Sequence, residues 1–339
     1  MNKQINPSVS VVTPSYNHAR FLPERVASIL NQTLDNFEWI IIDDCSTDGS
    51  QDLLRELVND DPRVVLIFHP RNVGMPSTTR EAIELSSGKY IYRAESDDVC
   101  DIRFLEKMVK VMEGHPEVGF CYCRSLHMDH EGTIWGGWRQ EKEDRLWKGQ
   151  ELFKSIVMGT SISGGNILFS KAAHDSVGGF GIGPFRIACD WHFCLRLCLK
   201  YDTAYLKEPL GYHRDHQDNL SGMVGRNLDY ESVFRESYHL LDDVFEHVVV
   251  EAPELGKLQR EAIRCASHRI AGLYIRAIFT GQGVLSRKII EGIELHDPGA
   301  TKGLEWIKAV IYSLFYEIIY GPVYTHFARL FRRRLNTGG

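Results

Sequence analysis

Two pairs of adjacent carboxylates, Asp43-Asp44 and Asp97-Asp98, each follow a short apolar run, Glu38 to Ile42 and Tyr90 to Tyr92. Paired carboxylates at a strand end suit a hard divalent cation such as Mg²⁺ or Mn²⁺, which takes oxygen ligands and commonly binds substrate phosphates. The bland alternative is a cap and a dipole partner for the next helix, which for Asp97-Asp98 starts near Ile102. After Asp43-Asp44, the run Cys-Ser-Thr-Asp-Gly49 turns and caps a helix. An Asp there can also accept hydrogen bonds from a base N–H or a sugar hydroxyl. Neither pair decides between these roles alone.

The elements that must carry these residues alternate along the first 125 residues. Strands are expected at Ser8 to Val12, Glu38 to Ile42, Val64 to Phe68, Tyr90 to Tyr92 and Val118 to Cys123. Helices are expected at Phe21 to Asn31, Gly49 to Asn59, Ser77 to Ser86 and Ile102 to Met112. That alternation implies right-handed crossovers and a mostly parallel sheet. The runs WIII and VVLIF lack alternation, as expected of strands covered on both faces. Open α/β sheets bind ligands where loops leave the carboxyl ends of strands. Those loops are Thr13 to Asn17, Asp43 to Gly49, His69 to Gly74 and Glu95 to Asp98.

Composition narrows the classes. The 339 residues carry 39 Lys and Arg against 45 Asp and Glu, a net charge of −6, which argues against a generally basic nucleic-acid binder. A hydrophobic fraction of 43% supports a real core. The eight cysteines form no C-x-x-C pair, and the start shows no signal-peptide pattern, so free thiols in a reducing cytosol are expected. Cys189, Cys194 and Cys198 could ligate zinc, but they read better as small apolar residues of a buried helix.

In order and spacing, VSVVTPSYN, WIIIDDCSTDGS and RNVGMPSTTREAIELSSGKYIYRAESDD resemble the family 2 glycosyltransferases with the inverting GT-A fold, over about residues 1–220. The resemblance implies an α/β, Rossmann-like, mixed and mostly parallel sheet flanked by helices, to which the sequence pattern adds a C-terminal helical appendage. It implies a catalytic domain at 1–225, with a nucleotide-binding half to about 125 and an acceptor half beyond. The region 226–339 lies outside the resemblance; there Tyr230 to Val250, Leu258 to Phe279 and Gly303 to Tyr320 read as helices, punctuated by Pro253, Gly281-Gln-Gly283 and Asp297-Pro-Gly299. Pro14, Ser15 and Tyr16 match the segment that holds base and ribose, and Asp44 the carboxylate that reads the base, commonly of a UDP-sugar. Glu95-Ser-Asp-Asp98 is similar to the family's D-x-D-D element, with Glu95 in place of its first Asp. There Asp97 would face the ribose or sugar, and Asp98 would ligate Mn²⁺ or Mg²⁺ on the diphosphate. Asn72 and Gly74 match the N-x-G loop, and Arg80, one place later than usual, would meet a phosphate.

Asp190 opens the segment DWHFCLRLCLKY, similar to the family's helix whose Asp is the general base; Cys189 replaces the acid before it. A lone residue here would be read as a helix cap. Leu210 to His216, then Ser221, is similar to the stretch in which a histidine, here His216, meets metal or diphosphate, with His213 in place of the usual Tyr. Gly164-Gly165-Asn166 is expected to line the acceptor side, and Gly178-Gly179-Phe180 to make a turn. Trp135, Trp138 and Trp147 could stack on sugar rings or fill the core.

The last 39 residues reverse the charge, with six basic residues against two acidic, while the chain as a whole is −6. The aromatic, apolar run from Trp306 ending in Arg332-Arg-Arg334 reads as an interfacial membrane helix, or as one packed on protein or at an oligomer interface. The expected partners are a nucleotide-sugar donor and a glycan or lipid-linked acceptor, at the inner face of the cell membrane. Two rivals are a nucleotidyltransferase, which would want a Gly-rich basic loop after the first strand, and a non-catalytic sugar-nucleotide or glycan binder, which would lack Asp98 or Asp190.

Overall fold

The computed structural model describes residues 6–138, 141–160, 162–216, 219, 232, 235–279, 283–303, 306–308 and 310–311. The chain divides into one unit of residues 1–219 and 246–255 and a second of residues 220–245 and 256–339.

The first unit is built on one mixed sheet. Its strands are β1 (Val9–Ser15), β2 (Phe37–Asp43), β3 (Val64–Phe68), β4 (Tyr90–Arg93), β5 (Val99–Cys100), β6 (Val118–Met128), β7 (Ile134–Gly137), β8 (Arg145–Trp147), β9 (Ile167–Ser170) and β10 (Asp202–Arg214). They lie in the order β3-β2-β1-β4-β9-β6-β10-β5, with β7 on β6 and β8 on β10. β3, β2, β1 and β4 run parallel, as do β6 and β10, while β9 runs antiparallel between β4 and β6. Most of the paired length is therefore parallel. Ser15 pairs with Asp43, and Asp43 with Phe68, so three strands end in one row and release their loops together.

Helices α1 (Leu22–Leu30), α2 (Ser50–Val58), α3 (Met75–Leu85) and α4 (Phe104–Gly114) link these strands. Leu22, Val26 and Ile29 of α1 recur at helical spacing and enter one core with Val9, Val11, Trp39 and Ile41. Val12, Ile40, Ile42 and Ile91 are equally buried, so the central strands are covered on both faces, as WIII suggested. Burying these side chains removes apolar surface at roughly 25 cal/mol per Å², the main force holding the sheet to its helices. Gly74 (φ +89°) takes a left-handed approach into α3 that disfavours other residues. Helices α5 (Gly149–Ile156), α6 (Lys171–Ser176) and α7 (Cys189–Lys200) complete the unit. Cys189, Cys194 and Cys198 form no disulfide and are buried in α7, where burial pushes the Cys194 and Cys198 thiols up. They pack as apolar residues.

The second unit is helical. A π turn (Arg235–His239) leads into α8 (Leu240–Glu251), whose end at residues 246–251 belongs to the first unit, and α9 (Gln259–Phe279) and α10 (Gly283–His296) follow. Ser267 Oγ lies 2.9 Å from Tyr238 Oη and 3.0 Å from Asp297 Oδ2, a buried polar contact inside this unit. α10 lies within the expected helical region but is not among its expected helices; it falls between the breaks at Gly281-Gln-Gly283 and Asp297-Pro-Gly299. Among the described residues no helix is long and apolar enough to cross a membrane. The basic stretch of 301–339 lies, beyond residue 311, outside the described residues, as does Ser221.

Candidate active site

The loops after β1 and β2 are stitched to each other. Asn17 (φ +55°) accepts the Thr47 N–H at its Oδ1 (2.8 Å) and donates its own N–H to Ser46 Oγ (2.8 Å). Asp43 accepts Ser46 N–H (2.9 Å) and Gln51 Nε2 (2.8 Å). Pro14 and Ser15 lie at the end of β1, and Tyr16 beyond it is exposed. Asp44 is buried and occupied. Its Oδ1 accepts the Val73 N–H (2.9 Å) and meets His69 Nδ1 (2.8 Å), and its Oδ2 accepts the Gly74 N–H (2.8 Å). Asp44 thus holds the loop that carries Asn72 and Gly74. Burial opposes a charge on His69, but Asp44 and Glu81 outweigh it and raise its pKa. Asn72 and Arg80 are exposed, and neither side chain makes a hydrogen bond or ion pair among the described contacts.

The acidic motif after β4 divides its work. Asp97 Oδ2 accepts His216 Nε2 (2.8 Å) and Asn219 Nδ2 (3.3 Å), and His18 Nε2 stands 4.0 Å away. Burial would raise the Asp97 pKa, but His18, His216 and His213 outweigh it and hold the carboxyl well below the usual range. Asp98 is 1% exposed and faces the other way. Its Oδ1 accepts the Arg214 N–H (2.9 Å) and lies 3.3 Å from His213 Nδ1, and its Oδ2 is buried with no partner among the described residues. Burial opposes a charge on His213, yet Asp98, Asp97 and Asp215 push its pKa up to about 9. The buried Arg214 donates from Nε to the Asp97 carbonyl (2.9 Å) and pairs with Glu24.

Asp190 lies in the first turn of α7, where its Oδ1 accepts the Trp191 N–H (2.7 Å). Burial pushes its carboxyl up, against the pull of Arg93. Arg93, 2% exposed at its side chain, ends β4 and meets Glu95 Oε1 at 2.5 Å. Phe180, set by left-handed Gly178 and Gly179, lies 5.1 Å from the Arg93 guanidinium. A turn of Gly164–Asn166 threads between these groups. A Cβ on Gly164 would stand 2.0 Å from Asp190 Oδ2 and 2.7 Å from Arg93 Nη2; one on Gly165 would stand 2.8 Å from Asp98 Oδ2 and 2.9 Å from Glu95 Cγ. Only glycines let the carboxylates of the motif and of α7 come this close. Arg93 and His18 were not singled out from sequence; the available signals were an Arg closing an apolar strand and a His after Tyr16-Asn17.

Donor chemistry fits a transition-metal ion. His18, Asp97 and His216 each offer one ligand atom, all within 4.8 Å of one another. Two imidazoles and a carboxylate suit Mn²⁺ better than Mg²⁺. Nearby, Trp138 stacks on His213 (5.6 Å) and the exposed Trp135 on His127 (4.9 Å). Trp147 is instead covered by the Arg145 guanidinium at 3.4 Å.

A mostly parallel sheet whose strand ends gather acidic loops, a glycine turn and a helix-borne Asp makes up this candidate site. Residues 10–178 match the family described as Glycosyl transferase family 2, and the chain belongs to that family. It is 38% identical over 106 residues to a Bacillus subtilis glycosyltransferase named for teichuronic acid biosynthesis, TuaG, covering 31% of this chain and 42% of TuaG. It is 31% identical over 227 residues to EpsH of the same organism, named as a glycosyltransferase, covering 65% of this chain and 63% of EpsH. The matches span less than two thirds of either relative. The fold is similar to that of residues 1–349 of S. aureus TarS in complex with UDP-GlcNAc (TM-score 0.57, 15% identity, 87% of this chain and 92% of that one). It is also similar to the mannosyltransferase PcManGT of Pyrobaculum calidifontis in complex with GDP-Man and Mn²⁺ (TM-score 0.51, 16% identity, 92% and 87%). These likenesses establish the mixed α/β fold expected from sequence.

Proposed function

We propose that the chain is an inverting glycosyltransferase. It would move a sugar from a nucleoside diphosphate sugar, with UDP the favoured nucleotide, to a hydroxyl of a glycan or lipid-linked acceptor in cell-surface polysaccharide synthesis. The observation that carries this reading is the approach of Asp190 to the acidic motif across Gly164-Gly165, where a Cβ on either glycine would collide with a carboxylate.

In this reading Asp190 takes the proton from the acceptor hydroxyl as that oxygen attacks the anomeric carbon. The bond from that carbon to the diphosphate breaks on the opposite face, so the configuration inverts. Arg93 opposes the upward pull of burial on the base. Pro14, Ser15 and Tyr16 line the base and ribose. Asp44 contributes by shaping the Asn72–Gly74 loop around the nucleotide, and Arg80 would supply a cation for a phosphate. Asp97 faces the ribose or sugar. Asp98 and His216 are the ligands that the family resemblance suggests for a divalent cation, which when bound stabilises charge on the leaving diphosphate. The basic 301–339 stretch would bring the enzyme to the inner membrane face. TuaG's name and the ligands of the TarS and PcManGT structures support donor and pathway class by likeness.

The test is a panel of sugar nucleotides with Mn²⁺, read by mass for hydrolysis and transfer, on the full chain and on Asp98→Ala. Turnover of one donor, lost in Asp98→Ala, is expected. No nucleotide binding, with Asp98→Ala indistinguishable from the parent, sinks the enzyme reading.

A further inference from the structure

We infer that His18 is a metal ligand: His18 Nε2, Asp97 Oδ2 and His216 Nε2 form a preassembled two-histidine, one-carboxylate site that takes Mn²⁺ before any nucleotide arrives. The inference rests on the reading of the chain as a metal-using transferase. It moves the carboxylate ligand from Asp98 to Asp97 and adds a ligand from the loop after β1.

Geometry comes first. Donors about 2.1 Å from one ion lie roughly 3.0 Å apart when adjacent and 4.2 Å apart when opposite. Asp97 Oδ2 is 2.8 Å from His216 Nε2 and 4.0 Å from His18 Nε2. Side-chain shifts of less than a bond length would close a shell around one ion. The outer partners are also in place. His18 Nδ1 is 2.7 Å from Ser96 Oγ, which leaves Nε2 to face Asp97. Holding one ring nitrogen to aim the other is the usual way a ligating histidine is oriented. Phe21 packs on the His216 ring (4.5 Å) and within 6.1 Å of the His18 ring, fixing both. Asn219 accepts the His216 N–H (2.5 Å) and donates to Asp97 (3.3 Å), tying the third ligand's loop to the second ligand.

Asp98 is engaged elsewhere, through Oδ1 with the Arg214 N–H and His213. Three protein donors leave coordination positions open, as a site that must also accept diphosphate oxygens requires. Two imidazoles disfavour Mg²⁺, so the set selects a transition ion. His18 also follows the segment assigned to the base and ribose. Metal loading therefore orders the loop that the nucleotide will meet.

The test is Mn²⁺ titration of the metal-free full chain without nucleotide, followed by electron paramagnetic resonance. Electron spin-echo modulation from ¹⁴N then counts the bound imidazoles. One Mn²⁺ with two imidazoles is expected. His18→Asn, His18→Gln and His216→Asn should each leave one imidazole and weaken Mn²⁺ by at least about tenfold. Ser96→Ala should keep both imidazoles and weaken Mn²⁺ roughly tenfold. Asp98→Asn should keep both, and Asp97→Asn should lose the ion. Circular dichroism melting confirms folding of each variant. A parent with only one bound imidazole, unchanged in His18→Asn, overturns the inference. So does Mn²⁺ uptake only after UDP or GDP is added, an outcome that leaves the transferase reading standing. No Mn²⁺ with or without nucleotide, together with transfer in excess chelator, overturns the metal-using reading as well.

Discussion

The guanidinium of Arg93 meets the carboxylate of Glu95 at 2.5 Å, inside a wall where the Arg side chain is only 2% exposed. The same cation opposes the upward pull of burial on Asp190. Burial disfavours its charge, but Glu95 and Asp190 outweigh that and raise its pKa, so it remains protonated. One buried cation therefore serves two carboxylates from distant parts of the chain.

Replacing Arg93 by Met leaves those carboxylates without their cation. Breaking a buried pair from one side costs of the order of 3 kcal/mol. Urea unfolding at neutral pH should show that loss. The deficit should shrink at acid pH, where protonated carboxyls no longer need the cation; an equal deficit at pH 4 and pH 8 would contradict this account.

Asp190→Asn separates stability from function. The Asp190 pKa is raised in the folded chain, so its contribution is fully present below the unfolded value of about 3.9 and is lost as pH rises through the folded value. Asn does not ionise and escapes that loss. The variant should melt no lower than the parent at pH 7, while transfer falls by about 10²- to 10⁴-fold. Nucleotide affinity should hold; equal loss of affinity and transfer would remove Asp190 from the role of base.

Gly164→Ala tests the glycine turn. The new Cβ would collide with Asp190 Oδ2 and Arg93 Nη2. Relief of that overlap should cost about 1–3 kcal/mol and displace the base, lowering transfer about 100-fold. Gly114→Ala is the control, since a Cβ there meets nothing within 4 Å. Matching activity in the two variants would show that the turn does not position Asp190.

Asp44→Ala removes the acceptor of the Val73 and Gly74 amides. At about 1 kcal/mol per lost bond, the expected cost is roughly 2 kcal/mol, with faster amide hydrogen exchange over 69–74. His69, whose pKa Asp44 and Glu81 raise against burial, adds a pH signature. Its stabilisation is full below about pH 6.5 and is lost as pH rises through the folded value, so the deficit should be larger at pH 6 than at pH 9. Unchanged exchange in the loop would refute this structural role.

Much of the scaffold was legible. Val64–Phe68 forms a strand with the bounds expected, and β1, β2 and β4 differ from expectation only at their ends. WIII of β2 lacks alternation because the central strands are covered on both faces, whereas VVLIF forms the edge strand β3 with Val65 exposed, so its apolar run did not mean full burial. β6 continues to Met128, beyond the expected Cys123, because it pairs with β10, and residues 124–128 lack the apolar pattern that would mark them alone. The antiparallel direction of β9 was not legible, since a four-residue apolar strand reads the same either way.

By itself the sequence determined that acidic loops would gather at one sheet edge, because alternating apolar strands and helices admit few arrangements that bury both faces. It also marked Asp97, Asp98 and Asp190 as the carboxylates to watch. Only the tertiary structure decided how their oxygens are used: Asp97 toward His18 and His216, Asp98 toward Arg214 and His213, Asp44 into a loop, and Asp190 beside Arg93. The physical reason is separation along the chain. Asp97 and His216 are 119 residues apart, and no local spacing encodes a hydrogen bond that forms only when β10 pairs with β5, the short strand after Asp97-Asp98.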